Sequence, residues 1–382
     1  ATSVLTTGGG QTELDTALAN LEPKTYKICP NTTITVGNPA GGLDPTTGLP
    51  IMDPPNSLGI NVALPGVTIQ CGDNGNPDDN CVMNHGGAGI ATISKVPTTN
   101  AALASLTFNT NDFVIKGMTF SGYELGAKAR RVLRKKGGKS SKKGEKRAAR
   151  CDLAKTTFGD NDAYPRVAIL IVSSSTSVTI DSCIFKDLEG SVLSVGLGLL
   201  IGPGNSNPRT RPGTISVIMK NSKILDSLDF RSLFNVVQQD VKIQDSIVSN
   251  VVICDTGETC PGYNGFLRCK GSESKCEIEN VSFESSSFGS ALVVVNEESG
   301  SSVSEPVAIS GVTFNDVDYR VLNSNPKVCP NGVLRVGFSN SCEDEAMACN
   351  KIQSKKKKGG DKKKKGGDKK KKGGDKKMKG GK

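Results

Sequence analysis

Residues 178–188 read VTIDSCIFKDL, residues 276–286 read CEIENVSFESS, and residues 307–317 read VAISGVTFNDV. The three stretches share one spacing. An aliphatic anchor (Ile180, Ile278, Ile309) is followed by one variable residue, and then by a position dominated by Asp, Asn and Gly. Two or three residues later comes a second aliphatic or Phe, followed by another small polar residue. Three more segments fit the same pattern: Ile115-KGMTFSGY, Met219-KNSKILDS and Ile243-QDSIVSNV. Thr33-ITV and Val67-TIQ look like earlier, degenerate relatives of the same unit. A recurring unit of this length is the signature of a repeat architecture.

Alternation within each unit predicts short strands with one buried face. The Asp, Asn and Gly between them supply corners where the backbone takes positive φ. Anchors are 39 residues apart between Ile180 and Met219, then 24, 35 and 31. Coils of ~22–30 residues with loops of variable length account for this, in the range of known solenoid repeats. Parallel strands stack ~4.8 Å apart, so about eight coils would extend ~40 Å. Hairpin sheets would instead show two-residue Asn-Gly or Asp-Gly turns between consecutive strands. The expected fold is therefore all-β, a single-stranded right-handed parallel β-helix, with a β-sandwich as the competing arrangement.

Composition agrees with a thin aliphatic core. Of 382 residues, 36% are hydrophobic, there is no Trp, and glycine numbers 44. A solenoid needs covers at both ends. Residues 11–21, QTELDTALANL, place Leu14, Leu18 and Leu21 on one helical face and are expected to form the N-terminal cap. Val328 to Cys349, with Cys329, is expected to close the last coil.

Two segments break the pattern. Lys128–Arg150 holds twelve basic residues and one acid, and residues 355–382 repeat KKKKGGD with sixteen Lys and three Asp. Removing their +11 and +13 from the whole-chain +10 leaves −14 for the remainder, so the basic character is confined to two appendages. Neither carries enough apolar side chain to offset the entropy of ordering, and their like charges repel. The expected organisation is a β-helix domain over 1–353, with a basic loop insertion at 126–150, and a disordered tail over 354–382.

Twelve cysteines occur, several as close pairs: Cys71/Cys81, Cys254/Cys260, Cys269/Cys276 and Cys342/Cys349. None forms CxxC, and one His cannot complete a Cys/His zinc site, so local disulfides in an oxidising compartment are expected and no metal. Asn31-Thr32-Thr33 and Asn280-Val281-Ser282 are N-glycosylation acceptor triplets. The chain starts at Ala1, as after removal of a secretory leader. No apolar run reaches the ~18 residues that span a bilayer. A secreted, extracellular or wall-bound glycoprotein is expected, as a monomer.

The body resembles the pectin-lyase-like right-handed β-helix family. The resemblance lies in ALANL at 17–21, TYKI at 25–28, PGVTIQCG at 65–72, and the VTIDSCIF, CEIENVSF and VAISGVTF units. It implies the architecture over roughly 11–325 and leaves activity open, because that fold hosts lyases, hydrolases, epimerases and non-enzymes. Hydrolases of the superfamily carry an Asp-Asp pair and Gly-His-Gly. Here the only Asp-Asp is Asp78-Asp79, inside the Cys71–Cys81 loop, and His85 sits in NHGG. A lyase needs a cation or Ca²⁺ against a uronate and an Arg or Lys base. Arg209 and Arg211 would serve as bases, and Asp181 or Asp226 as Ca²⁺ ligands. Otherwise no cofactor is expected.

The lysine clusters speak for polyanion binding through counterion release. The residues are Lys355, Lys356, Lys357, Lys358, Lys362, Lys363, Lys364, Lys365, Lys369, Lys370, Lys371 and Lys372 in the tail, and Arg134, Lys135, Lys136, Lys142 and Lys143 in the insertion. No aromatics interleave them, which argues against nucleic acid. Acidic polysaccharide and silica remain. The tail resembles the silica-associated wall proteins of diatoms in its lysine clusters and small spacers. Arg130-Arg131 and Lys146-Arg147 are dibasic pairs, so cleavage after Arg131 or Arg147 is a further expectation for an exposed loop.

Overall fold

The computed structural model describes residues 2–5, 24–36, 60–62, 66–85, 91–95, 113–121, 167–171, 176–188, 190–195, 215–229, 232–237, 239–253, 265–270, 274–288, 291–297, 307–319 and 333–337. Among them the chain is almost entirely strand, and every strand pairing is parallel. The expected cap at 11–21, the insertion at 126–150 and the tail at 354–382 lie outside the described residues.

Strands form a nine-stranded sheet, two eight-stranded sheets and a four-stranded sheet. The chain visits them in rotation. Thr176–Asp181 lies in the first sheet, Ile184–Lys186 in the second and Ser191–Val195 in the third. The next coil returns to the first sheet with Ile215–Lys220. From that coil on, a short fourth-sheet strand such as Leu228–Asp229 is inserted before the third sheet. This winding is compatible with a parallel β-helix, and counting from Thr25–Ile28 the first sheet records eight turns.

Register shows why the repeat exists. Ile69, Ile115, Ile180, Met219, Ile243, Ile278 and Ile309 are consecutive partners across the first sheet. The unequal anchor spacings are absorbed outside the strands, and every anchor falls on one ladder. In the second sheet, Ile34, Met83, Phe120, Phe185, Ile224, Val248, Phe283 and Phe314 align likewise. All these second-sheet residues except Phe314 are buried. Thr33-ITV therefore belongs to the second sheet, not with the anchors. In that coil the anchor position is Tyr26 of TYKI, opposite Ile69.

Corners obey the stereochemistry expected of them. Between first and second sheets, Gly117, Ser182, Asn221, Asp245, Asn280 and Gly311 all have φ between 48° and 69°. Between second and fourth sheets, Asp226, Asn250, Ser285 and Asp316 repeat the conformation, as does Asp187 after the second-sheet strand one coil earlier. Left-handed backbone costs an L-residue ~1–2 kcal/mol, least for Gly, Asn and Asp, which explains the composition. Most corner N–H groups donate to a carbonyl of the next coil, among them Ser182 to Lys220 (3.1 Å), Asp245 to Glu279 (3.0 Å) and Asn280 to Ser310 (2.9 Å).

Buried serines complete the accounting. Ser222 Oγ accepts from the Cys183 N–H (3.2 Å) and donates to Lys220 O (2.7 Å). Ser246 does the same for Ser222 N–H and Gln244 O, and Ser286 for Val251 N–H and Glu284 O. Backbone groups at corners that have no strand partner are thus satisfied inside the coil stack.

Phenyl rings fill the interior near the later coils. Phe120 stacks on Phe185 at 5.0 Å, and Phe266 meets Phe234 and Phe283, each at 5.0 Å. Two of the four expected local disulfides fall on described residues, and both form: Cys71–Cys81 and Cys269–Cys276. Cys254, Cys260, Cys342 and Cys349 lie outside them, as does the expected closure at 328–349 apart from the strand Val333–Gly337.

Candidate functional site

The outward face of the first sheet presents its side chains in coil-to-coil rows. One row runs Lys27, Gln70, Lys116, Asp181, Lys220, Gln244, Glu279 and Ser310, each the register partner of the next. The row is the variable position after each anchor. A neighbouring row runs Ile218, Lys242, Glu277 and Ala308. Successive positions lie ~4.8 Å apart, so Lys27, Lys116 and Lys220 repeat at about twice that interval.

Charge changes sign along these rows. Toward the C-terminal coils, Lys242 bridges Glu279 at 2.7 Å and Glu277 at 3.6 Å. The hydrogen bond to Glu279, with both carboxylates nearby, holds its ammonium above the ordinary lysine range. Toward the N-terminal coils the cations dominate. Lys27 pairs with Asp73 at 2.7 Å, and that hydrogen bond and charge lower the Asp73 carboxyl. Lys116 lies with its stem across Gly75, where a Cβ would come within 2.4 Å of its Cγ. It has no carboxylate partner within 4.0 Å among the described residues.

The loop from Cys71 to Cys81 builds this end of the face. Gly72 and Asn80 take left-handed backbone, and Pro77–Asp79 forms one 3₁₀ turn capped by Asn76. Gln70 Nε2 donates to the carbonyls of Gly72 (3.2 Å) and Asp73 (2.5 Å). Gly117 backs directly onto Gly75, whose carbonyl carbon stands 2.4 Å from where a Cβ would lie. The Asp78-Asp79 pair lies in this turn: the Asp78 backbone N–H donates to Asn76 Oδ1 (3.1 Å), and the Asp79 carboxylate lies over Gly72. His85 ends the second-sheet strand Cys81–His85.

Asp181 and Asp226, the proposed Ca²⁺ ligands, occupy different corners. Asp181 ends a first-sheet strand, whereas Asp226 follows the second-sheet strand Lys223–Leu225 one coil later. A three-residue strand spans ~10 Å, so the structure does not bring them together. Asp181 Oδ1 accepts from Asn221 Nδ2 (3.0 Å) and Ser182 Oγ (2.9 Å), and Lys220 Nζ stands 3.6 Å from Oδ2. Burial pushes this carboxyl up, but the Asn221 and Ser182 hydrogen bonds and the Lys220 charge outweigh it, and the net shift is downward. Asp226 Oδ1 accepts from Asn250 Nδ2. Both carboxylates thus bind the following coil. Among the described residues no three His, Cys, Asp or Glu side chains are grouped to hold a metal ion.

Of the remaining sequence candidates, Asn31 and Asn280 are both exposed corner residues. Cys183 is a buried free thiol whose pKa burial pushes up to about 12, and Cys29 is a free, partly exposed one. Arg209, Arg211, the dibasic pairs, and all the lysine-cluster residues of insertion and tail lie outside the described residues. The outward row of lysines was missed in the sequence, although its signal is visible there as the apparently random residue after each anchor.

No helix among the described residues is long and apolar enough to cross a membrane. No protein-family model, curated protein or solved structure matches this chain.

Proposed function

We propose that this protein is an exported, non-catalytic right-handed β-helix of the pectin-lyase-like kind that attaches to an extracellular polyanion, acidic polysaccharide or silica, through its lysine clusters. The observation that carries this reading is the segregation of charge: +13 in 355–382 and +11 in 128–150 against −14 elsewhere. A polycation with Gly-Gly-Asp spacers gains affinity by releasing counterions and needs no shaped pocket.

The body supports the reading in two ways. Asp181 and Asp226, the carboxylates best placed by sequence for catalysis, are hydrogen-bonded to Asn221 and Asn250 of the next coil. Their role is to hold corners in register. In addition, Lys27, Lys116 and Lys220 take alternate positions of one first-sheet row; Lys27 is paired with Asp73 and Lys220 with Asp181, which leaves Lys116 as the lysine of that row without a carboxylate within 4.0 Å among the described residues.

Retention of the full chain and of a chain lacking 354–382 is compared on silica and on a polyuronate matrix across a salt gradient. The truncated chain is expected to elute at low salt, and the full chain to be released steeply as salt rises. Equal retention of the two overturns the proposal. Release of unsaturated uronides or reducing ends from polyuronates would replace it with a lyase or hydrolase reading.

A further inference from the structure

Two acceptor triplets for N-linked glycan occur, and their asparagines occupy the same kind of corner, with φ of 61° at Asn31 and 52° at Asn280. Sequence does not distinguish them. Their side chains are in opposite situations.

Asn280 is clamped between its neighbours. Its Nδ2 donates to Asp245 Oδ1 in the preceding coil at 3.1 Å. Its Oδ1 lies on the following coil, 2.1 Å from where a Cβ on Gly311 would stand. Its own N–H donates to Ser310 O at 2.9 Å. A sugar on Nδ2 makes a secondary amide, which is planar and strongly prefers the substituent on the same side as the carbonyl oxygen. Because Oδ1 points at Gly311, the first sugar ring would be driven into that corner. The other amide isomer costs ~2.5 kcal/mol or more and puts the sugar where Asp245 now accepts. Either isomer therefore sets the first sugar against a neighbouring corner, on the Gly311 side or on the Asp245 side.

Asn31 has neither constraint. Its backbone N–H is anchored to Asp79 O at 2.7 Å, which fixes the corner. The side chain is exposed and makes no hydrogen bond among the described residues. The hydroxyl-bearing residue of the triplet, Thr33, is exposed at the start of the strand Thr33–Val36. Thr32, between them, is buried, and its carbonyl accepts from the Val82 N–H at 2.8 Å.

We infer that Asn31 carries an N-linked glycan and that Asn280 does not. The donor class is a polyprenyl-pyrophosphate-linked oligosaccharide. The Asn31 Nδ2–C1 bond forms, the C1–O bond to pyrophosphate breaks, the pyrophosphate leaves with the electron pair, and the amide loses one proton. The inference rests on the reading of the chain as exported, but it is independent of which polyanion is bound. The glycan would stand at the first-sheet corner of the N-terminal coil, beside the Cys71–Cys81 loop.

The test expresses the full chain behind a secretory leader in a eukaryotic host, so that occupancy does not depend on the natural address. Secreted protein is deglycosylated enzymatically in heavy-oxygen water and mapped by peptide mass spectrometry. Asn31 is expected to appear as labelled Asp and Asn280 as unmodified Asn. Thr33→Ala, which keeps Asn31, should abolish the mobility shift, and Thr33→Ser should restore it. Ser282→Ala, which keeps the Asn280 contacts, should change nothing. A glycan on Asn280 in folded secreted protein, or an unoccupied Asn31 in the wild type, overturns the assignment. Retention on silica or polyuronate is read separately, so failure of one proposal leaves the other standing.

Discussion

Phe266→Ala puts the interior to its most direct test. The Phe266 ring is fully buried and lies against Phe234 (5.0 Å), Phe283 (5.0 Å, edge-on) and Phe288 (5.8 Å). Phe283 and Phe288 also meet edge-to-face at 5.5 Å, so Phe266 is the hub that joins second, third and fourth sheets. Truncating a buried Phe costs ~3–5 kcal/mol through lost transfer and the cavity left behind. Three ring contacts, each worth ~0.5–1.5 kcal/mol beyond area, place the value toward the top of that range. A coil stack is quasi-one-dimensional, so the loss should stay local and not lower a single global midpoint. The assay is hydrogen exchange of the native protein. Amides in Phe234–Val237, Ser282–Glu284 and Ser287–Phe288 should lose protection equivalent to about 4–5 kcal/mol, while Thr25–Ile28 and Thr68–Cys71 keep theirs. Phe266→Leu, which retains most of the volume without a ring, separates packing from ring geometry. Protection in those three strands changing by less than ~1 kcal/mol would refute the account of the core, since even a well-relaxed cavity exceeds that.

Asp181 has a lowered folded pKa, so its stabilising contribution is complete above the ordinary carboxylate value near 3.9 and disappears as pH falls through the lower, folded value. Asp181→Asn should flatten the acid limb of a stability–pH curve below about pH 4, and an unchanged limb would remove Asp181 from the corner account. Native protein treated with a thiol-alkylating reagent at pH 8 should label Cys29 and spare Cys183, whose thiol is buried with a pKa of about 12. Peptide mass spectrometry reads this, and early labelling of Cys183 would contradict closed coils. Gly117→Ala demands left-handed backbone from alanine and drives a methyl to 2.4 Å from the Gly75 carbonyl carbon. Destabilisation of at least ~2 kcal/mol is expected in denaturant melts monitored by circular dichroism, and a neutral effect would show that the Cys71–Cys81 loop does not pack there.

Parallel stacking was legible because its signal lies in side chains that repeat. The anchors Ile115, Ile180, Met219, Ile243, Ile278 and Ile309 were identified in the sequence and fall on one ladder. Corners were legible because few residues tolerate positive φ. Ser182 and Ser285 are exceptions: serine is not a usual left-handed residue, and only its place in the stack reveals the role. The third sheet was not legible. Val167–Ile171 and Ser191–Val195 are buried along their whole length, so the alternation that marks a one-sided strand is absent there. The candidate face was half legible. Its positions were in the repeat, but the variable residue after each anchor carries no pattern until register lines up Lys27, Lys116 and Lys220. The first coil misled for a related reason. Thr33-ITV alternates like an anchor strand, and only pairing of Ile34 with Met83 assigns it to the second sheet.

The order of stacking is the order of synthesis. Every first-sheet strand from Thr25–Ile28 onward pairs with the strand of the turn before it, so a segment leaving the ribosome would meet a template made only of residues already synthesised. Growth in this order would need no later sequence, and each docking would close only the loop of its own coil, 39 residues from Ile180 to Met219 and 24 from Met219 to Ile243. It also leaves a live front. Phe314, stacked on Phe283 at 5.5 Å, is still 47% exposed where every earlier residue of its ladder is covered. Were the coils to assemble in this order, each leading turn would expose its ladder residue as Phe314 is exposed in the last described second-sheet strand.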